Sequence, residues 1–235
     1  MQSCVVLFPG SNAEVEMARA LAAATGAEPP LVWHKDRELP GGVELVAIPG
    51  GFSYGDYLRP GAIARASPIV PALRRYAERG GLVLGVCNGF QVLTEIGLVP
   101  GALVRNEHLR FECRDIHLTV TARGAFTPDL GRVLRLPIAH AEGRYTADAA
   151  TLLQLEADER IAFRYCDAAG GVVPSANPNG SVASIAGVYG GPDKNVLGLM
   201  PHPERAAESF VGSRDGRTLF DAVVRWHAAR RLRAG

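Results

Sequence analysis

The residue best placed for covalent chemistry is Cys87, which stands in the segment Gly-Val-Cys-Asn-Gly at 85–89. An apolar run precedes this segment and a helical pattern follows it, as in the strand–turn–helix elbow that presents a nucleophile. The glycines let the chain turn sharply, and the positive end of a helix dipole favours the thiolate that attacks a carbonyl carbon. The N–H of Asn88 is then placed to bind an oxyanion. The elbow taken alone fits a buried, inert cysteine equally well.

A cysteine nucleophile needs a base, and the base needs a group that orients it. Among the histidines, His202 stands out because it follows an apolar run and precedes a carboxylate, in Met-Pro-His-Pro-Glu-Arg at 200–205. In an extended segment, Glu204 would project to the same side as His202 and support its imidazole. The motif taken alone also fits a surface His–Glu pair in a proline-stiffened turn. Combined with the elbow, it predicts a Cys–His–Glu triad.

Two adjacent glycines, Gly50 and Gly51, end another apolar run and provide a candidate for a second oxyanion donor. Glycine backbone approaches a ligand closely and offers an unobstructed N–H, although a plain turn fits this segment equally well. A glycine peptide also flips easily, which predicts that a partner protein switches this donor on. The Gly-x-x-x-x-Gly-Lys-Ser/Thr phosphate loop is absent, and no close cluster of His, Cys and carboxylate residues indicates a metal site.

The apolar pattern predicts the scaffold that brings such residues together. Over the first hundred residues, short apolar runs alternate with amphipathic stretches, which is typical of a parallel sheet with helices on both faces. The second half has strand-like runs and few helices, which indicates an antiparallel extension. We therefore predict an α/β fold, a three-layer sandwich with a mostly parallel central sheet plus an antiparallel extension, in a single domain at 1–235.

The same pattern predicts where the elements lie. The predicted strands cover 5–8, 31–33, 43–48, 82–86, 115–121, 132–138, 160–167, 181–189 and 196–200. The predicted helices include 69–79 and 215–230, and a capping-box pattern at 11–14 predicts where the first helix begins.

The composition excludes several classes of protein. The chain has 235 residues with 25 basic against 24 acidic side chains, so it lacks the broad positive field that nucleic acid or an anionic membrane attracts. No apolar run approaches the roughly 18 residues of a membrane helix, and the N-terminus lacks the pattern of a signal peptide. The four cysteines are far apart, which argues against disulfide or zinc scaffolds and predicts a cytoplasmic location.

The motifs around Cys87, Gly51 and His202 resemble those of the class I (triad) glutamine amidotransferases, whose fold is flavodoxin-like. A glutamine four residues after the cysteine, Gln91, is specific to that class. Further segments narrow the resemblance, over essentially the whole chain, to the glutaminase subunits of phosphoribosylformylglycinamidine synthase. These segments are 50–56, 105–106 with Phe111, 139–143, 176–181 and 200–205. One position departs from that family, which usually has serine where this chain has His108.

The resemblance implies a role for each candidate residue. The catalytic triad would be Cys87 as nucleophile, His202 as base and Glu204 as its orienting partner. The oxyanion hole would be formed by the amides of Gly51 and Asn88, and Gln91 would hold the substrate glutamine. The roles of His108, His140 and Glu142 stay open.

The resemblance also implies a reaction and its partners. Glutamine would be hydrolysed to glutamate and ammonia through a thioester. The ammonia would pass to a large synthase subunit that converts formylglycinamide ribonucleotide to formylglycinamidine ribonucleotide in de novo purine biosynthesis. A small accessory subunit is expected as well, with ATP and magnesium on the synthase subunit and no cofactor in this chain. Two alternatives are a stand-alone γ-glutamyl or cysteine hydrolase of the same fold, and a binding module without catalysis.

Overall fold

The fold is built around one large β-sheet. The structure is a computed structural model, which describes residues 1–56, 59–208 and 212–234. The strands are β1 (Ser3–Leu7), β2 (Leu31–Trp33), β3 (Leu45–Ile48), β4 (Leu82–Val86), β5 (Ala102–Val104), β6 (Glu112–Val120), β7 (Val133–His140), β8 (Arg144–Thr146), β9 (Ile161–Cys166), β10 (Ile185–Gly190) and β11 (Val196–Leu199). The helices are α1 (Glu14–Thr25), α2 (Val70–Glu78), α3 (Asn88–Glu95), α4 (Ala149–Ala157) and α5 (Arg217–Ala234). The large sheet has the order β2–β1–β3–β4–β11–β10–β9–β6–β7, and β5 pairs with β8 apart from it.

The sheet has a parallel and an antiparallel half, which meet at β11. Strands β2, β1, β3, β4 and β11 pair in parallel, and β10, β9, β6 and β7 continue the sheet antiparallel. Helix α1 packs on β1 and α5, whereas α3 packs on β3, β4 and β11. The predicted three-layer α/β class is confirmed. Because β4 lies in the middle of the sheet, all of its residues are buried, as expected for a continuous apolar strand.

The carboxyl ends of the central strands lie side by side at one edge of the sheet. Ile48 of β3 pairs with Gly85 of β4, and Leu199 of β11 pairs with Val86. Strand β7 points the same way, because an even number of antiparallel pairings separates it from β11, so His140 at its end reaches the same edge. In open α/β sheets, ligands bind at this edge.

The start of the first helix differs from the prediction. Ser11 was expected to cap it through a capping box, but α1 begins at Glu14 and its N-cap residue, Ala13, makes no side-chain capping bond. The Ser11 hydroxyl oxygen instead accepts a hydrogen bond from the N–H of Phe8 at 3.1 Å. The side chain therefore closes the turn that leaves β1.

Later elements also differ from the prediction, among them the short strands β5 and β8, which were not predicted. The strand expected at 181–189 begins only at Ile185, because 182–184 forms a 3₁₀ turn. Helix α4 was not predicted, and its N-terminus is capped by Asp148, whose carboxylate accepts the N–H of Thr151 at 2.7 Å. Among the described residues, no helix is both long enough and apolar enough to cross a membrane.

Candidate active site

Cys87 occupies the junction between β4 and α3. Its N–H still bonds to the Leu199 carbonyl of β11 at 2.8 Å, while its own carbonyl accepts the N–H of Gln91 at 3.1 Å in the first turn of α3. The two requirements force φ and ψ of 52° and −106°, a conformation that non-glycine residues rarely adopt. The side chain is 6% exposed and lies at the helix N-terminus. The predicted elbow is therefore present in the backbone.

The helix after the elbow lies unusually close to the sheet. A Cβ atom at Gly85 would stand 2.5 Å from Leu93 Cδ1, and one at Gly198 would overlap the Phe90 ring. The two glycines pair with each other on the neighbouring strands β4 and β11, so together they form the flat surface of the sheet against which α3 packs. This close packing fixes the position of the helix N-terminus, and with it the position of Cys87.

His202 and Glu204 form a buried pair. The Nδ1 atom of His202 lies 2.5 Å from Glu204 Oε1, and both side chains are almost completely buried. The backbone N–H of His202 is held by the Pro137 carbonyl at 2.9 Å. The expectation that an extended segment would bring the two together was wrong, since 203–206 forms a 3₁₀ turn.

The electrostatics of this pair favour a charged imidazole. Burial by itself lowers the pKa of His202, but the negative charges of Glu204 and of a Cys87 thiolate outweigh it and raise the pKa to about 10. The His202 Nε2 atom, on the side of the ring away from Glu204, has no hydrogen-bond partner among the described residues. An imidazolium in this position stabilises a thiolate beside it.

Gly50 makes room for the imidazole. A Cβ atom at this position would lie 2.7 Å from His202 Cε1 and 3.5 Å from Cys87 Cβ, so the peptide passes directly against both side chains. Its carbonyl accepts the N–H groups of Asn12 and Ala13, at 3.1 and 3.3 Å. A flip of the Gly50–Gly51 peptide would break both bonds, so its barrier is higher than that expected for a free glycine turn.

Neither candidate oxyanion donor bonds its backbone N–H to another backbone group within the described ranges. Asn88 is the first residue of α3, where the backbone N–H has no intrahelical acceptor. The Gly51 N–H is not bonded to any described acceptor. A side chain at Gly51 would overlap the Gly10 carbonyl oxygen, so only glycine fits there.

A chain of hydrogen bonds runs from Ser53 through the side chains of Asn88 and Gln91 to the loop after β7. The carbonyl oxygen of the Asn88 side chain accepts the backbone N–H of Ser53 at 3.2 Å, and also the Ser53 hydroxyl. The Asn88 amide nitrogen donates to Gln91 Oε1 at 2.8 Å, and Gln91 Nε2 donates to the Glu142 carbonyl at 2.7 Å. Gln91 is 5% exposed, so in this structure its side chain orders the surrounding loops.

Asn106 and His140 order the loop after β7. Asn106 is fully buried, and its amide nitrogen donates to the carbonyls of Arg110 and His140, at 2.8 and 2.9 Å. Its oxygen faces the Gly143 N–H and His140 Nδ1, both at 3.1 Å. Burial and the charge of His202 lower the pKa of His140 to about 4, so its ring is neutral. The sequence pattern did not predict the contacts of Asn106 with His140 and Gly143, because these partners lie 34 to 37 positions away from it.

His108, the departure from the family pattern, ties two loops together. Its Nδ1 atom accepts the Arg110 N–H at 3.1 Å, so Nε2 carries the proton. Nε2 then lies 3.1 Å from the Pro178 carbonyl and 3.2 Å from Glu112 Oε1. Histidine thus spans the gap between the loop at 105–111 and the loop at 176–181.

The other cysteines differ from Cys87 in their surroundings. Burial raises the pKa of Cys4 to about 12, and burial together with Asp167 raises the pKa of Cys166 to about 11. Both therefore stay protonated thiols. Cys113 is exposed on β6.

Comparison with known proteins adds to this geometry. The model of the CobB/CobQ-like glutamine amidotransferase domain matches residues 1–227. Phosphoribosylformylglycinamidine synthase subunit PurQ of Rhodospirillum rubrum is 54% identical over 227 residues, which cover 95% of this chain and 98% of that protein. The subunit of the same name from Moorella thermoacetica is 52% identical over 229 residues, with 96% of each chain covered.

Solved structures agree with the sequence relatives. A chain in the structure of PurLQS from Thermotoga maritima superposes with a TM-score of 0.82 at 40% identity, and covers 96% of this chain and 98% of that chain. A glutamine amidotransferase from the same organism has a TM-score of 0.56 at 15% identity, over 97% of this chain and 92% of that one. This second likeness concerns the fold alone.

Proposed function

The chain belongs to the CobB/CobQ-like glutamine amidotransferase family, and from this premise we propose that it is the glutaminase subunit of a phosphoribosylformylglycinamidine synthase. It hydrolyses glutamine to glutamate and ammonia, and the ammonia converts formylglycinamide ribonucleotide to formylglycinamidine ribonucleotide in purine biosynthesis. The buried His202–Glu204 pair, facing the elbow of Cys87 across Gly50, carries the proposal. The end-to-end identity with the PurQ subunits supports it.

The first half of the mechanism begins with the Cys87 thiolate, which is stabilised by the His202 imidazolium and by the N-terminus of α3. Its sulfur attacks the carbon of the glutamine side-chain amide. The resulting tetrahedral oxyanion accepts hydrogen bonds from the N–H groups of Gly51 and Asn88, and such donors are worth ~2.7–4 kcal/mol each in comparable sites. His202 then gives its proton to the departing ammonia, and a glutamyl thioester remains.

The second half of the mechanism hydrolyses the thioester. His202, now neutral, accepts a proton from water as the water attacks the thioester carbon. The same two N–H groups hold the second oxyanion, and its collapse releases glutamate and restores the thiolate. Throughout, Glu204 keeps the imidazole oriented and stabilises its charged form without itself taking the proton. Gln91, through Asn88 and the Glu142 carbonyl, keeps the substrate side of the pocket in place.

The partners follow from the same proposal. The Thermotoga maritima relative was solved as PurLQS. We infer that this chain likewise assembles with a large synthase subunit and a small accessory subunit. ATP and magnesium are bound by the synthase subunit and no cofactor by this chain, which acts in the cytoplasm as a single glutamine amidotransferase domain at 1–235.

The experiment that tests this function is reconstitution. The purified chain is mixed with the synthase and accessory subunits, formylglycinamide ribonucleotide, ATP and magnesium, and product is followed with glutamine as the only nitrogen source. We expect formation of the formylglycinamidine ribonucleotide together with one glutamate for each product. Glutamate release at the same rate without the other subunits, and no product with them, would favour a stand-alone hydrolase instead.

A further inference from the structure

The loop that carries Gly51 is held in a strained conformation. We call it the Gly50 loop, residues 50–56. Tyr54 and Asp56 have φ of 55° and 52°, in the left-handed region that side chains disfavour, and Gly55 between them has φ of 68°. A conformation of this kind persists only where the surrounding contacts outweigh its cost. On the inner side, these contacts include the hydrogen bonds from Ser53 to Asn88.

On the outer side, the Tyr54 hydroxyl of the loop meets two polar groups that lie outside the catalytic residues. The Tyr54 hydroxyl lies 3.0 Å from His34 Nδ1 and 3.1 Å from the Ser67 hydroxyl, and those two groups lie 3.1 Å apart. The Tyr54 and His34 rings also meet edge to face, with their centroids 5.7 Å apart. Each of the three polar atoms thus lies within hydrogen-bond distance of the other two, and we call this group the triangle.

The base of this triangle is rigid. His34 and Ser67 are 6% and 5% exposed. The backbone N–H of His34 bonds to the Leu7 carbonyl of β1 at 2.9 Å, and its carbonyl accepts the Ile69 N–H next to α2 at 3.2 Å. The triangle therefore connects the Gly50 loop to strand β1 and, through Ile69, to the start of α2.

We propose that His34 and Ser67 are positioning residues, which hold Tyr54 and with it the Gly50 loop so that the Gly51 N–H points at the oxyanion formed on Cys87. This inference rests on the proposed function. Neither residue bonds to any of the catalytic groups, and both act only through Tyr54. Because the donor acts on the tetrahedral species, loosening the loop should lower kcat and leave the KM for glutamine nearly unchanged.

The test uses the reconstituted complex and a change that removes a single oxygen atom. In Tyr54→Phe, we expect kcat for glutamate release to fall by about tenfold or more, because an oxyanion donor is displaced. The KM for glutamine should change by less than about threefold. His34→Leu should behave alike, whereas His34→Asn keeps a polar atom near the position of Nδ1 and should recover most of the rate. Tyr76→Phe, which removes a hydroxyl bonded to the Val43 carbonyl instead, is the matched control.

Two probes of Cys87 separate positioning from general damage to the fold. Iodoacetamide alkylates a thiolate without forming an oxyanion, so its rate at Cys87 should match wild type in Tyr54→Phe. A glutamine-like aldehyde forms a tetrahedral adduct on the same sulfur, so its affinity should fall in parallel with kcat. Wild-type kcat in Tyr54→Phe would overturn the proposal, and so would an equal loss with both probes.

A second measurement separates an error in the role of His34 and Ser67 from an error in the proposed function. Synthesis from added ammonium salt, measured in the same complexes, should be equal in wild type and Tyr54→Phe. If the wild-type complex made product from ammonium but released no glutamate from glutamine, the proposed function would be wrong whatever the variants do.

Discussion

Replacing Glu204 with glutamine is expected to slow glutamine hydrolysis strongly without abolishing it. The carboxylate lies 2.5 Å from His202 Nδ1 in a buried pair, and the pKa of His202 is raised to about 10. Both the Glu204 carboxylate and the Cys87 thiolate raise this pKa against the effect of burial. A hydrogen bond to a charged group contributes about 1.5–3 kcal/mol, and a fully buried bond such as this one lies at the upper end of that range. Its loss should lower kcat by about 100-fold.

His202→Ala should be worse than Glu204→Gln by about another tenfold, because it removes the proton transfer itself. The assay is steady-state glutamate release by the reconstituted complex as a function of pH. In wild type the imidazolium persists as the pH rises towards 10, whereas without the carboxylate burial lowers the pKa of His202 and the Cys87 thiolate has to oppose it without Glu204. In Glu204→Gln, the alkaline fall in glutamate release, where His202 has lost the proton that it gives to ammonia, should therefore occur at lower pH.

The matched control is Glu38→Gln, since this carboxylate is 78% exposed and, in the part of the chain that the structure describes, pairs only with the exposed Arg75. It should leave both the rate and the pH profile unchanged. A kcat of Glu204→Gln within about threefold of the wild-type value would refute this role of the carboxylate. A variant as inactive as His202→Ala would mean that the pair acts as one indivisible unit, and would contradict separate roles for orientation and proton transfer.

Three further outcomes are expected. Iodoacetamide should label Cys87 first and Cys113 more slowly, while Cys4 and Cys166 stay unlabelled until the chain unfolds, as read by peptide mass analysis. Equal labelling of all four would contradict the activation of Cys87. Gly50→Ala should lower kcat by about 100-fold because its Cβ would press on the imidazole, whereas Gly41→Ala, which faces open space, should not. Because the pKa of His140 is lowered to about 4, its neutral ring stabilises the fold fully above pH 6.5, and this contribution is lost as the pH falls through about 4. The free energy of unfolding in urea should therefore change less between these pH values in His140→Gln than in wild type.

The sequence predicts the parallel half of the fold well, because its strands are continuous apolar runs between turn residues. The bounds of β4, Leu82–Val86, coincide with the prediction. Strand β10 was placed too early since the apolar pattern continues through 182–184, whereas Ala183 and Ser184 adopt φ of 50° and 54° in a 3₁₀ turn. Backbone conformations of this kind are set by the packing around them and leave no periodic signal.

The candidate triad could be predicted because each of its parts lies in a short motif. The groups that hold the site together could not, since Asn106 meets His140 and Tyr54 meets His34 only through the pairing of distant strands. The turn at Gly50 illustrates the same limit. Its glycines predict an easy flip, but the N–H groups of Asn12 and Ala13, brought close by the start of α1, bond to its carbonyl.

The most direct test of the central claim compares two nitrogen sources in one variant. Cys87→Ala removes only the sulfur that attacks glutamine, and Cys113→Ala, which changes an exposed cysteine, is its control. In the complex with the synthase and accessory subunits, Cys87→Ala should make no formylglycinamidine ribonucleotide from glutamine. It should make the product from ammonium salt at the wild-type rate, because ammonia then bypasses this chain. Glutamine-dependent synthesis near the wild-type rate in Cys87→Ala would contradict the account.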